Sequence, residues 1–307
     1  MTALLGPGER MWGMQLPIQS QSTIFVAPWE TEAGPSELLA VAQATDRAGA
    51  GYVAVCDHAA IPAEAAETMG AVWYDTVATL AWLGAQTERV HLLSHVYVVP
   101  YRSPLLTAKA FATLDLLTGG RAILGVGAGH VEGEFDLIGA DFASRGRAVD
   151  DALRVLREVF ETGAHGGALV EPRASRASGP PIWVGGSSPP AIRRAATADG
   201  WLPQGPPKMG MRAAIECIRA ERERAMGGGS AIDLGINCEP VHVGDPTWDL
   251  PPYALSGEPG AIAGRLARYA ALGVNQWQVR LLARSADELV EQVERFGAEV
   301  WPLVEGA

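Results

Sequence analysis

Short runs of Val, Ile and Leu alternate along this chain with longer segments whose apolar residues recur at helical spacing. A continuous apolar run suits a strand buried on both faces, and i, i+3, i+4 recurrence suits a helix packed over it. The pattern predicts eight strands: Trp12–Leu16, Tyr52–Cys56, Val90–Val99, Ala122–Val126, Ile182–Val184, Gly200–Leu202, Leu234–Val243 and Gln276–Leu281. Helices are expected between them. Ser36 is placed to cap one that runs to about Ala48, and another covers roughly Tyr74–Gln86. Ser103 followed by Pro104 opens a third that ends at Gly119-Gly120. Others span Arg147–Glu161, Pro189–Ala198, Arg212–Ala225, Pro259–Ala271 and Ala286–Phe296. Strict alternation predicts a parallel α/β sheet, and this strand count predicts a (β/α)8 TIM barrel in one domain over residues 1–307. An open doubly wound sheet fits less well, because no G-x-G-x-x-G turn follows the first strand. The irregular stretch Gly163–Pro181 reads as an insertion between strands four and five, expected to shape an active-site mouth.

Composition narrows the function. With 48% hydrophobic and 19% charged residues, the chain carries enough apolar surface for a large core. Its net charge of −11 and lack of a basic cluster argue against a nucleic-acid partner, since phosphate binding needs Lys and Arg. No apolar run reaches the roughly 18 residues of a membrane helix. The N-terminal MTALLGPGER lacks the pattern of a secretory signal. Three scattered cysteines, Cys56, Cys217 and Cys238, suggest neither a disulfide framework nor a zinc site. A cytoplasmic protein acting on a small molecule, without a metal, is the expectation.

Four segments carry candidate chemistry. Asp57-His58 directly follows the second strand, and barrel active sites sit at that strand end. A carboxylate beside an imidazole can orient it for acid–base work, although a histidine satisfied by local hydrogen bonds reads equally well. In the third run, Ser94-His95 interrupts a β-branched stretch, either as a bulge presenting backbone to a ligand or as a core histidine bonded to its neighbours. Gly125, Gly127 and Gly129 alternate where the fourth strand ends, allowing a flat ring or another backbone to approach. Gly185-Gly186-Ser187-Ser188 then leads into a proline-started helix whose N-terminus, with Arg193 or Arg194, could attract phosphate. The six histidines do not fall at metal-ligand spacing.

At these segments the sequence resembles the bacterial luciferase-like monooxygenase superfamily, and within it the branch that uses the deazaflavin coenzyme F420. The most specific stretch runs from Val90 through Val159; PPIWVGGSSPPAIRRAATADGWLP and GYVAVCDH are further matches. The resemblance implies a TIM barrel with a cofactor ring across its C-terminal mouth. It implies a catalytic His58 with Asp57 orienting it or contacting the ring, and a non-prolyl cis bond between His95 and Val96. It also implies cofactor contacts at Asp57, Ser94, His95, Val96, Gly127, Gly129, Gly185, Gly186 and Ser187, the last three at the phosphate. Members resembling F420-dependent glucose-6-phosphate dehydrogenase carry a glutamate proton donor where this chain has Ala128. Glu132 and Glu134 lie further along and are expected to pack or to pair with Arg145 or Arg147.

An F420-dependent oxidoreductase passing hydride to or from a small organic substrate is the first expectation. An FMN-dependent monooxygenase and a non-catalytic flavin-binding protein are the alternatives. The mouth is expected to be lined by Ile61–Trp73 and Ala164–Gly179, with Trp29, Trp73, Tyr97 and Tyr101 suggesting an apolar or aromatic substrate. A homodimer is expected from the family habit.

Overall fold

A computed structural model describes residues 3–227 and 230–307. The strands are β1 Met11–Gln15, β2 Tyr52–Val55, β3 His91–Ser94, β4 Ala122–Gly127, β5 Ile182–Val184, β6 Gly200–Trp201, β7 Asp233–Asn237 and β8 Gln276–Val279. Each pairs in parallel with its neighbour in sequence, and β8 returns to β1 with Met11 opposite Gln276. The barrel is closed, as expected. Around it lie α1 Pro35–Arg47, α2 Thr76–Gly84, α3 Pro104–Leu117, α4 Arg145–Thr162, α5 Pro189–Ala195, α6 Met211–Met226, α7 Pro259–Ala267 and α8 Ala286–Arg295. Among the described residues no helix is long and apolar enough to cross a membrane.

Alternation along each strand decides what fills the barrel. On β8, Trp277 faces the helices, and its Nε1 donates to the Leu266 carbonyl of α7 at 3.0 Å. Its neighbours Gln276 and Gln278 face inward, and the Tyr52 hydroxyl on β2 donates to Gln276 Oε1 at 2.8 Å. The lower interior packs Met11, Tyr52, Ala54, Leu93, Ile123, Trp183 and Leu202 against Leu4 and Leu5. Asp233, at the foot of β7, accepts the Leu4 and Leu5 N–H groups at 2.7 and 3.1 Å and Trp183 Nε1 at 3.2 Å. The segment before β1 thereby stoppers the N-terminal end, and the site must lie at the other.

The structure corrects four details. Helix α1 starts one residue before Ser36: Pro35 fixes its first turn, and Glu37 accepts the Gly34 N–H, so Ser36 is not the cap. The run Val90–Val99 breaks after Ser94; Tyr97–Val98 resumes pairing alongside β4. The run Leu234–Val243 leaves the barrel after Asn237, where Pro240 has no N–H for a ladder, and Val241–Val243 pairs with Leu255–Gly257.

The insertion Gly163–Pro181 exists, but it joins the end of α4 to the start of β5 and therefore lies at the N-terminal face. Its Ser175 N–H donates to Asp115 at the end of α3, and Arg176 reaches His91 Nε2 at the foot of β3. It cannot line the mouth. That place is taken by the β2–α2 connection and by a short helix, Glu132–Ile138, that follows β4.

Candidate active site

His58 leaves the C-terminal end of β2 with its side chain 10% exposed. Its Nδ1 is 2.8 Å from Glu134 Oε2 on the short helix after β4. Glu134 is fully buried. The same Oε2 accepts the Tyr101 hydroxyl at 2.7 Å, and Oε1 accepts the N–H groups of Ala59 and Ala60. Burial alone would raise the Glu134 pKa; the bonds from His58, Tyr101 and Ala60 outweigh it and hold the carboxyl below its usual value. An ionised Glu134 can only accept, so Nδ1 carries a proton, and in the neutral imidazole the lone pair is left on Nε2. No described residue bonds that Nε2. Trp73 covers one face of the ring at 4.3 Å between centroids, and the exposed His130 lies edge-on at 5.8 Å.

Asp57, which the sequence pairs with His58, points away from it. Arg102 grips it with two bonds, of 2.6 and 2.8 Å. The Val98 N–H donates to Oδ2 at 2.8 Å and the Thr76 hydroxyl to Oδ1 at 3.2 Å. The Arg102 guanidinium lies 4.2 Å over the Tyr97 ring. Asp57 therefore ties the end of β2 to the chain beyond the third-strand break, and Glu134 does the orienting of His58. Breaking such a pair strands a half-buried cation. Asp57→Asn is expected to lower folding stability by about 3 kcal/mol; an unchanged midpoint in urea unfolding would refute this role.

The third-strand break brings the glycines into use. The His95–Val96 peptide is cis. Ser94 is consumed by backbone: its hydroxyl donates to the Gly125 carbonyl and accepts the Gly125 N–H, both at 3.0 Å. Val96 stands half-buried against Gly127 at the end of β4 and Gly185 just past β5. A Cβ on Gly127 would lie 2.3 Å from one of its methyls, and a Cβ on Gly185 would lie 2.2 Å from the other. These glycines make room for Val96 first, and whatever enters the mouth meets that side chain. Gly185→Ala is expected to cost about 1–3 kcal/mol by overpacking, and Val96→Ala in the same chain to restore most of it. A double-mutant cycle in urea with no such coupling would overturn this packing account.

Gly129, with φ of 76°, brings the chain against Val98 and Phe135. Gly186, with φ of 90°, accepts the Trp201 Nε1–H at its carbonyl at 3.0 Å. Ser187 sits half-buried at the rim. The helix that follows is a weaker anion site than the sequence suggests: Pro189 and Pro190 fill its first two positions and remove two N–H donors. Arg193 is exposed and Arg194 turns outward onto Asp150 of α4. Donors for a phosphate are therefore confined to the Gly186–Ser188 turn.

His95 is fully enclosed. Its Nε2 is 3.0 Å from the Leu202 carbonyl and its Nδ1 3.2 Å from Gln278 Nε2. Burial pushes its pKa down to about 4, against the Leu202 bond, so it is neutral. Gln204 and Asn237 complete a polar belt across the barrel: Gln204 Nε2 donates to the His95 carbonyl, Gln278 Nε2 to Asn237 Oδ1, and Asn237 Nδ2 to the Gln204 carbonyl. Tyr97 and Tyr101 lie in the shell, and Trp29 is tied to the Ala283 carbonyl, so of the four aromatics expected at the mouth only Trp73 faces His58.

Sequence reasoning missed the contact of Glu134 with His58 and of Tyr101 with Glu134. Neither has a fixed spacing from it. The available signal was an acid beside Phe135; a seven-residue helix that buries only Glu134 and Phe135 has too few turns to display periodicity.

A family model described as luciferase-like monooxygenase matches residues 14–247. An uncharacterized Mycobacterium tuberculosis protein is 34% identical over 165 residues, covering 51% of this chain and 57% of its own length. This chain thus spans little more than half the length of that relative. The FMNH2-dependent dimethylsulfone monooxygenase of Pseudomonas putida is 27% identical over 283 residues, covering 72% of this chain and 76% of the relative. Among solved structures, the coenzyme F420 dependent tetrahydromethanopterin reductase of Methanopyrus kandleri superposes with a TM-score of 0.73 at 19% identity, over 96% of this chain and 99% of that one, and so shares the fold. With its barrel closed and most of its length matched, the chain belongs to the luciferase-like monooxygenase family.

Proposed function

We propose that this chain is an F420-dependent oxidoreductase acting on a small organic substrate, with His58 giving or taking the proton that accompanies hydride transfer. One observation carries the reading: His58 has Nδ1 fixed on a buried carboxylate and Nε2 bonded to no described residue. That is the arrangement an acid–base imidazole needs. The mouth also suits a flat ring. Val96 fills the space above Gly127 and Gly185, and the belt below leaves one buried acceptor, Gln278 Oε1, without a partner.

The bound cofactor would supply or accept the hydride. Val96 would press on one ring face, and the Gly186–Ser188 turn would offer N–H and hydroxyl donors to its phosphate. Trp73 keeps bulk water from one face of the imidazole. Ser94-His95-Val96 and its flanks, which resemble the F420 branch, support F420 as the cofactor. A second reading, an FMN-dependent monooxygenase, has its own support in the relative from Pseudomonas putida. Titrating the purified protein with F420 and with FMN, followed by fluorescence quenching, separates them. Saturable F420 binding is expected; saturable FMN binding without F420 binding would favour the second reading, and binding of neither would end both.

A further inference from the structure

The polar belt has a direction, and it ends in one unused atom. The Leu202 carbonyl can only accept, so His95 Nε2 carries the proton and His95 Nδ1 is a lone pair. That lone pair must be met by a donor, which fixes the Gln278 amide with its NH2 toward His95 and toward Asn237 Oδ1, 2.6 Å away. Flipping the amide would set oxygen against two acceptors. Asn237 is fixed in turn, since its NH2 reaches the Gln204 carbonyl at 3.0 Å. Both hydrogens of Gln278 Nε2 are therefore spent, and Gln278 Oε1 is left as a buried acceptor with no partner. A buried polar atom without a partner is costly and points to something that binds there.

Depth places Gln278 at the bottom of the mouth, with Oε1 itself buried. Gln276, Gln278 and Arg280 follow one another on the inward row of β8. Gln276 is 0% exposed, Gln278 7% exposed, and Arg280 half-buried. Gln278 is thus the lowest residue of that row still reached from outside. Two residues further along that row, Arg280 has one hydrogen bond among the described residues, to the Phe25 carbonyl, and its guanidinium lies 5.3 Å from the Phe25 ring centroid. It retains N–H donors at the next inward position of the row.

We infer that Gln278 Oε1 accepts the imide N–H of the ring cofactor, with Arg280 placed to donate to a carbonyl next to it. The inference rests on the cofactor reading above. Flavins and deazaflavins share an imide edge on which a single N–H is flanked by carbonyl oxygens. An acceptor with a donor beside it complements that edge. A substrate hydroxyl or a buried water would satisfy Oε1 alone and would be indifferent to the imide.

The test compares FMN and F420 with their N3-methyl derivatives, by fluorescence quenching, on wild type and on Gln278→Met. Wild type is expected to bind the parent cofactor about tenfold more tightly than its N3-methyl form, and Gln278→Met to bind the two alike. The imide proton of bound 15N-labelled FMN gives a reading that needs no variant: protection from solvent exchange in wild type is expected. Equal affinities in wild type, a preference that survives in Gln278→Met, or a freely exchanging imide proton would overturn the inference. If the parent cofactor binds and methylation is indifferent, only this inference falls; if neither parent cofactor binds, the proposed function falls with it.

Discussion

Replacing His58 by alanine is expected to lower kcat about 10²–10⁴-fold, the usual contribution of a placed proton-transfer group. Cofactor affinity should stay within about threefold, because no ring contact is assigned to His58 and Val96 and the Gly186–Ser188 turn are untouched. Nδ1 is committed to Glu134, so Nε2 is the nitrogen that can reach a substrate oxygen in the mouth. Some stability will be lost as well, since Glu134 loses one of four donors and Trp73 loses its stacking partner. A purely structural histidine would also destabilise when removed. Free imidazole separates the two cases: it should restore part of the turnover of the alanine variant by filling the vacated space, without raising its unfolding midpoint. The measurement is single-turnover decay of the reduced or oxidised cofactor absorbance at saturating cofactor, with and without imidazole. Unchanged turnover, or no rescue from a folded variant that still binds cofactor, would remove His58 from the reaction.

The barrel was legible because strand burial on both faces and helix periodicity are written into consecutive residues. Trp12–Leu16, Ile182–Val184 and Gln276–Leu281 each announce themselves without reference to anything distant. The break in the third run was legible as Ser94-His95 within a β-branched stretch. The placement of polar partners was not, because it depends on which strands become neighbours. Asp57 and His58 are adjacent in sequence, and along a chain leaving a strand adjacent side chains diverge. Asp57 therefore meets Arg102 across the third-strand break, and His58 meets Glu134 from the fourth βα connection. The glycines misled in a similar way. Their spacing reads as space for a ligand, whereas at Gly127 and Gly185 the space is taken by Val96. The insertion Gly163–Pro181 was visible as an irregular stretch, but its end of the barrel follows from connection type: it leads from a helix into a strand.

Glu134→Gln tests the orienting carboxylate and should change the chemistry more than the fold. Glutamine keeps the shape but offers one acceptor oxygen and one NH2 where the carboxylate met four donors. The Ala59 and Ala60 N–H groups cannot reverse, so the amide oxygen must face them. Its NH2 then faces Tyr101, whose hydroxyl can turn to accept, and His58, which must become an acceptor at Nδ1. The neutral imidazole is forced into its other tautomer, with the proton on Nε2 and no lone pair toward the mouth. Turnover is expected to fall about 10²-fold with little change in cofactor affinity. The 15N shifts of His58 should report Nδ1–H in wild type and Nε2–H in the variant. Stability carries a pH signature. Because the folded carboxyl is held below its ordinary value, its contribution is present above about pH 4.5 and lost as pH falls through the folded value. The wild type should therefore exceed the variant by about 2 kcal/mol near neutrality, a gap that closes in acid. Glu134→Asp should restore the charge but not the reach to Ala59 and Ala60, recovering the tautomer only in part. If His58 holds the same tautomer in both proteins while turnover collapses, Glu134 acts by some route other than orienting the imidazole, and the His58–Glu134 unit loses its place in the mechanism.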